Sequence, residues 1–155
     1  MRTDGVEGFT AWAREHEPRV RQALTAGFGP QVGREASADA LAYAWERWSE
    51  VSAKPNPAGY VFGVGRNLAR RATQAKWRGF PPVETDRLPD VEPELPAALE
   101  ELPERQRVVV VLLHGYGWTM SEVAELLEIK KTSVQNHAER GLARLRQSLG
   151  VSNVQ

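Results

Sequence analysis

The chain has 155 residues, of which 20 are Lys or Arg, 20 are Asp or Glu, three are His and none is Cys. This length allows one compact domain or two small ones, and it excludes a barrel or a large doubly wound enzyme. The absence of Cys excludes disulfide scaffolds, thiolate metal sites and Cys nucleophiles, and the zero net charge argues at first against a nucleic-acid partner, because phosphate binding draws on surplus Lys and Arg.

Neither a membrane span nor a secretion signal is predicted. The longest aliphatic run, Val108 to Leu113, is far shorter than the roughly 20 apolar residues of a membrane-spanning helix. Residues 1–10 carry acids and glycines where a signal peptide has an apolar segment. We therefore expect a soluble, cytoplasmic protein without a membrane partner.

Three stretches before residue 80 space their apolar residues at helical intervals. The first covers residues 9–24, the second covers residues 41–48 with Trp45 and Trp48 on its apolar face, and the third begins near Pro57. The first domain is therefore predicted to be helical.

A proline-rich segment follows. Five of the ten prolines fall between Pro81 and Pro96, and because proline lacks an N–H and restricts the residue before it, a continuous helix is excluded here. The segment 81–96 also contains five acids and one Arg, so we interpret it as an extended, acidic linker. It separates a first domain, residues 1–80, from a second, residues 97–150.

Capping signals after the linker predict further helices. Leu102-Pro103 places a proline at the first position of one helix, which Gly115 and Gly117 end. Thr119, with Glu122 three residues later, predicts a capping box at the start of the next.

The fold class follows from these elements. The last helix is predicted to be capped by Thr132 or Ser133 and to run to about Leu149. Because the periodicity is helical throughout, the predicted fold is all-α, with two small helical domains joined by the proline-rich linker.

The neutral total hides an uneven distribution of charge. Residues 1–80 hold 12 basic and 8 acidic residues, and Lys54 to Phe80 has six basic residues, no acid and four aromatic residues. Because cations follow phosphates and rings stack on exposed bases, this pattern is typical of a surface for single-stranded nucleic acid. The alternative for each residue taken singly is that the basic ones lie on a solvated helix face and the aromatic ones lie in the core.

Residues 119–146 have the spacing of a helix-turn-helix. Ala124 is small enough for two helices to cross closely, Ile129 fills the turn and Val134 anchors the second helix. Glu128 stands where glycine is usual, and because a left-handed backbone is strained for Glu, a looser turn is expected. The alternative is a helical hairpin that only packs. The second helix starts with side chains suited to base edges and phosphates, namely Lys130, Lys131, Thr132, Ser133, Gln135 and Asn136.

Both parts of the chain resemble one family. Residues 98–149, ALEELPERQRVVVVLLHGYGWTMSEVAELLEIKKTSVQNHAERGLARLRQSL, closely resemble region 4 of bacterial sigma factors of the extracytoplasmic-function group. Residues 35–51, EASADALAYAWERWSEV, resemble the polymerase-binding helix of region 2, and residues 56–78, NPAGYVFGVGRNLARRATQAKWR, resemble its promoter-melting segment. The two regions stand in family order with a linker between them.

The resemblance implies a sigma factor that binds core RNA polymerase, through its largest and second-largest subunits, and directs promoter-specific initiation. Promoter DNA is then a second partner, an anti-sigma factor is a further candidate, and no catalytic residue, metal or cofactor is implied. The implied polymerase-binding residues are Glu35, Asp39, Trp45, Arg47 and Trp48. The residues implied to open and hold the minus-ten element are Asn56, Tyr60, Arg66, Asn67, Arg70, Arg71 and Lys76. The residues implied to read the minus-thirty-five element are Lys130, Lys131, Thr132, Ser133, Gln135, Asn136 and Arg140.

Three residues depart from the family pattern and leave two alternatives open. Ala38 stands where the docking helix usually has Gln, Glu46 stands where a basic residue is common, and Glu128 replaces the turn glycine. The alternatives are a stand-alone helix-turn-helix regulator, which would bind duplex DNA by itself, and a sigma-like interaction protein that does not act in initiation. An enzyme is not predicted, because the Gly63-Val64-Gly65 run lacks the third glycine of a dinucleotide loop and the three His are isolated from one another.

Overall fold

The computed structural model describes residues 3–77 and 94–150, and every regular element in those ranges is helical. The elements are α1 (Thr3–Phe28), α2 (Pro30–Glu46), α3 (Trp48–Val51), α4 (Pro57–Trp77), α5 (Leu95–Glu101), α6 (Glu104–Val110), a π-helical turn (Val111–Gly115), α7 (Met120–Leu127) and α8 (Lys131–Ser148). The predicted all-α fold class is confirmed. We call the described residues 3–77 lobe one and the described residues 94–150 lobe two.

Most of the predicted linker, residues 81–93, lies outside the described ranges. Its last residues do not: Leu95 and Pro96 already belong to α5, with the proline in the first turn, where a missing N–H costs no hydrogen bond. No helix within residues 3–77 or 94–150 is long and apolar enough to cross a membrane.

Lobe one is built by close packing of α1, α2 and α4. A Cβ atom added at Gly33 would stand 2.6 Å from the Thr25 backbone, and one at Gly65 would stand 2.6 Å from the Leu24 side chain. Because only glycine fits at these two crossings, the helices approach closely and the small side chains of α2, such as Ala40 and Ala44, are fully buried.

The prediction that residues 41–48 form one apolar helix face is wrong, because the helix breaks within this segment. Helix α2 ends at Glu46, because Arg47 leaves the helical conformation with φ −121° and ψ 32°, and the chain restarts as α3 at Trp48. Trp45 is consequently not a core residue: 38% of its surface is exposed.

Lobe two contains an element that the sequence analysis did not predict. Helix α5 contributes Ala98 and Leu102 to a small apolar cluster with Val110 of α6 and Leu145 of α8. Helix α6 begins at Glu104, with Pro103 as its N-cap rather than its first helical residue.

A helix start was predicted for each helix of the helix-turn-helix, and the structure confirms the first but not the second. The capping box of α7 is confirmed, since the Thr119 hydroxyl accepts from the Glu122 N–H at 3.1 Å and the Glu122 carboxylate accepts from the Thr119 N–H at 3.1 Å. The predicted cap of α8 is wrong. The N-cap is Lys130, without a side-chain bond, because the Val134 N–H already bonds the Lys130 carbonyl at 3.1 Å and so places Thr132 and Ser133 inside the helix.

The two lobes share one hydrophobic core. Val20 and Leu24 of α1 belong to the same buried cluster as Val109, Leu112 and Val123 of lobe two. Helix α1 packs against α6 and the π-helical turn, and α4 packs against α7. The contact is close, since a Cβ atom at Gly27 would stand 2.9 Å from the Val108 side chain. The sequence analysis predicted two domains but not this packing of one on the other.

Candidate nucleic-acid interface

Helix α8 presents one apolar and one polar face. Val134, Ala138, Gly141 and Leu145 are buried against the rest of lobe two. The residues predicted to read duplex DNA lie on the other face, and all are exposed except Ser133, which is half-buried: Lys130, Lys131, Thr132, Ser133, Gln135, Asn136 and Arg140. The structure therefore places this predicted set on one accessible surface.

The turn between α7 and α8 has a left-handed residue, although Glu disfavours that conformation. Glu128 adopts the left-handed conformation, with φ 57° and ψ 45°, so the expectation of a looser turn is wrong. The Ile129 N–H bonds the Ala124 carbonyl at 3.1 Å, and Val134 is fully buried beneath the turn. The packing of these residues fixes the turn in spite of the strain, which costs a non-glycine residue on the order of 1–2 kcal/mol.

Helix α4 contains all the residues predicted to contact the minus-ten element except Asn56, which directly precedes it. Asn67, Arg70 and Arg71 are exposed, whereas Arg66 and Tyr60 are half-buried; Lys76 lies on the same helix. The Arg66 guanidinium lies 5.9 Å from the Phe62 ring centroid. Burial, assisted by the positive charge of Arg70, lowers the pKa of Arg66.

Arg70 forms a two-pronged ion pair with Glu104 of lobe two. Its Nε and Nη2 atoms donate to the two carboxylate oxygens of Glu104 at 2.8 and 2.7 Å. Burial acts to raise the pKa of Glu104, but its hydrogen bonds to Arg70 and the nearby positive charges of Arg66 and Arg107 outweigh it, so that this pKa is lowered. The guanidinium of one predicted DNA contact is therefore occupied by a carboxylate of the same molecule.

The Asn56 side chain also forms hydrogen bonds within the molecule. Its Oδ1 atom accepts from the Gly59 N–H at 3.1 Å, which caps the start of α4, and its Nδ2 atom donates to the Glu125 carbonyl of lobe two at 2.8 Å. A second predicted DNA contact is thus used within the molecule.

Further bonds between the lobes involve residues that the sequence analysis did not select. Arg107 donates through Nε to the Gly27 carbonyl at 2.8 Å, and burial lowers its pKa. Trp118 donates through Nε1 to the Gln22 side chain at 2.8 Å. The partners are 80 and 96 residues apart in the chain, so periodicity and capping patterns carry no signal for them.

The residues implied to bind polymerase lie on α2, on α3 and at the break between them. Glu35, Asp39 and Arg47 are exposed, and Trp48 is half-buried. The Arg47 guanidinium lies 4.2 Å from the centroid of the Tyr43 ring. Both departures from the family pattern in this segment, Ala38 and Glu46, are exposed on the same helix.

A groove of about 850 Å³ runs between α2, α4 and the end of α7. Tyr60 and Tyr43 face each other in it with hydroxyl oxygens 3.4 Å apart, and Lys54 lies 4.9 Å from the Tyr60 ring centroid. The groove brings together residues of two predicted sets and the turn of the helix-turn-helix, namely Asp39, Tyr60, Arg66, Asn67, Arg71 and Glu128. No cluster of His, Asp or Glu in the described parts of the chain is arranged to hold a metal ion.

Known proteins match the chain in sequence and in fold. The family model for sigma-70 region 4 matches residues 93–145. An RNA polymerase sigma-E factor from Streptomyces antibioticus is 32% identical over 124 residues, which make up 71% of this chain and 66% of that relative's length.

Two solved structures, each 18% identical, have the same fold. The sigma factor RpoE in complex with the anti-sigma factor NepR from Bartonella quintana has a TM-score of 0.61, covering 95% of this chain and 99% of RpoE. CnrH in complex with the cytosolic domain of CnrY has a TM-score of 0.58, covering 95% of this chain and 90% of CnrH. The solved structures thus agree with the chain in fold. The two sequence matches show that the chain belongs to the extracytoplasmic-function group of sigma-70 factors, a family of transcription factors rather than enzymes.

Proposed function

We propose that this protein binds core RNA polymerase and directs it to specific promoters. One observation supports the proposal: a chain of this family presents two exposed surfaces suited to nucleic acid, the polar face of α8 and the cationic residues of α4. On α4 the Arg66 guanidinium lies over the Phe62 ring, and Lys54 lies over the Tyr60 ring. Side chains at the start of a recognition helix suit base edges in a major groove. Cations beside aromatic rings suit unpaired bases.

The proposal divides the work among three helices. Helix α8 reads the minus-thirty-five element as a duplex, α4 captures the opened minus-ten element, and the exposed face of α2 docks on polymerase. Acidic side chains on that face, at Glu35, Asp39 and Glu46, suit a partner surface rich in Lys and Arg.

The contact between the lobes gives this proposal a second step. Arg70 and Asn56 are bonded to lobe two, so in this arrangement neither side chain is free to bind DNA. We infer that the lobes separate when polymerase binds, which frees Arg70 for phosphate. The half-exposed ion pair of Arg70 with Glu104 is worth about 1 kcal/mol or less. Most of the cost of separating the lobes comes from exposing their shared hydrophobic core, which a large polymerase interface must offset.

An anti-sigma factor is proposed as a further partner. The support is the RpoE structure, which has this fold and contains a bound anti-sigma factor. Such a partner would regulate the factor by competing with polymerase.

Reconstituted transcription tests the proposal. The purified chain is mixed with core polymerase and a DNA library whose minus-ten and minus-thirty-five positions are randomised, and the 5′ ends of the transcripts are sequenced. We expect a complex with core polymerase and two enriched sequence elements at a fixed spacing. Failure to form the complex, or transcripts without an enriched element, would overturn the proposal.

The same assay separates the alternatives. A stand-alone regulator would bind duplex promoter DNA without polymerase, and a sigma-like interaction protein would yield no specific transcript. The double variant Arg70→Ala with Arg71→Ala should abolish promoter opening by a sigma factor while leaving the complex with core polymerase intact.

A further inference from the structure

An aromatic cluster joins the start of α1 to the end of α2. The Phe9 ring lies 5.2 Å from Trp45, 5.4 Å from Trp48 and 6.2 Å from Trp12, measured between ring centroids. Trp12 extends the cluster to His16 at 5.5 Å. Phe9 therefore contacts three of the five Trp side chains of the protein.

Trp45 is the exposed member of this cluster. Helix α2 ends one residue after it, and 38% of its surface is accessible. Phe9 meets it edge to face, with an angle of 68° between the ring planes, which is a favoured geometry for two aromatic rings. The Trp45 ring is thus packed against Phe9 while a large part of the side chain stays accessible.

An exposed Trp that is already held in place is well suited to bind another protein. Trp is enriched among the few residues that carry most of the energy of an interface. A side chain that is fixed before binding loses less conformational freedom on association, which favours affinity. Glu46 and Arg47, the exposed residues that follow Trp45, would supply a polar rim for the same contact.

We propose that Phe9, on α1, is a positioning residue for polymerase binding: it holds Trp45 in the orientation in which that ring contacts polymerase. The inference rests on the proposed function, since it assigns Trp45 to the polymerase interface. It adds to that interface a residue of α1, which the family resemblance did not implicate.

A double-mutant cycle on the full chain tests this role. The dissociation constant for core polymerase is measured for the wild type, Phe9→Ala, Trp45→Ala and the double variant. A dye on Ala143→Cys reports binding, because the chain has no other Cys. We expect Phe9→Ala to weaken binding about three- to tenfold and Trp45→Ala to weaken it about tenfold or more. The double variant should bind nearly like Trp45→Ala alone. Any loss that Phe9→Ala still causes in the Trp45→Ala background should be smaller than in the wild type and is assigned to its contact with Trp48.

Two further variants separate positioning from stability. Phe9→Tyr keeps the ring and should restore binding to within about twofold of the wild type. His16→Ala removes a ring from the same cluster, but from its far end against Trp12, and should leave the affinity unchanged. If Phe9→Ala does not fold, Phe9→Leu replaces it in the cycle, because Leu keeps the apolar bulk without the ring.

The outcomes distinguish this inference from the proposed function. A wild-type chain that does not bind core polymerase would overturn both. A wild-type chain that binds while Trp45→Ala binds equally well would overturn the inference alone. An equal loss from Phe9→Ala in the wild-type and Trp45→Ala backgrounds would also overturn it, because Phe9 would then act independently of Trp45.

Discussion

At Glu128 the packing of the fold overrides a local preference. Its residue type predicts a loose turn, but Ile129 and Val134 are packed into the core on the far side of the turn, and the backbone accepts a left-handed conformation to place them. A departure from the family pattern is thus accommodated by strain rather than by a change of shape.

Relieving that strain should stabilise the protein. Glu128→Gly is expected to raise the free energy of unfolding by about 1 kcal/mol, because glycine adopts positive φ without a steric cost. Urea unfolding measures the change. The matched control is Glu125→Gly in helix α7, which should lower the free energy of unfolding by about 1 kcal/mol. A turn that is not strained would make Glu128→Gly neutral or destabilising.

Glu104 makes the stability of the protein depend on pH in the acid range. Its pKa is lowered in the folded state, so its contribution is present above the unfolded value of about 4.3 and is lost as the pH falls through the folded value. We expect the wild type to lose stability more steeply than Glu104→Gln between about pH 5 and pH 3. Parallel pH profiles of the two proteins would contradict this assignment.

At the scale of elements, the sequence predicted the helices that carry strong local signals. Pro57 at the start of α4 and the Thr119 capping box of α7 were predictable because each depends on neighbouring residues. Helix α5 was missed because its apolar residues pack against residues of α8, more than 40 residues away, and because Pro96 and the prolines before it favour a linker. The break at Arg47 has no local signal of this kind.

Helix α8 should read bases and phosphates with different side chains. With the polymerase complex on its promoter, Gln135→Ala is expected to relax the sequence preference at one minus-thirty-five position, at a cost of about 1–3 kcal/mol. Arg140→Ala should instead weaken binding to all promoters alike and reduce the slope of affinity against salt by about one unit. A promoter library assayed at several salt concentrations measures both. Equal losses of sequence preference in the two variants would contradict the assignment.

At the scale of the whole molecule, the zero net charge first argued against a nucleic-acid partner. The structure shows that some of the opposite charges pair with each other between the lobes. The acids of lobe two serve in part to bind the cations of lobe one: Glu104 pairs with Arg70 and Glu122 with Arg19. Such pairings join residues far apart in the chain, so no sequence pattern reveals them. The candidate site residues were predictable as sets on helices, but their engagement between the lobes was not.

The most direct test of the account is the distance between the lobes in the free and polymerase-bound protein. Glu15→Cys on α1 and Ser121→Cys on α7 change exposed residues beside the Arg19–Glu122 ion pair that joins the lobes. They introduce the only thiols of the chain, so a pair of spin labels reports the separation of the lobes. Because the lobes pack together in the free protein, we expect one short distance between the two labels there. In the complex with core polymerase we expect a longer one. The same distance in both states, or a long distance in the free protein, would contradict it.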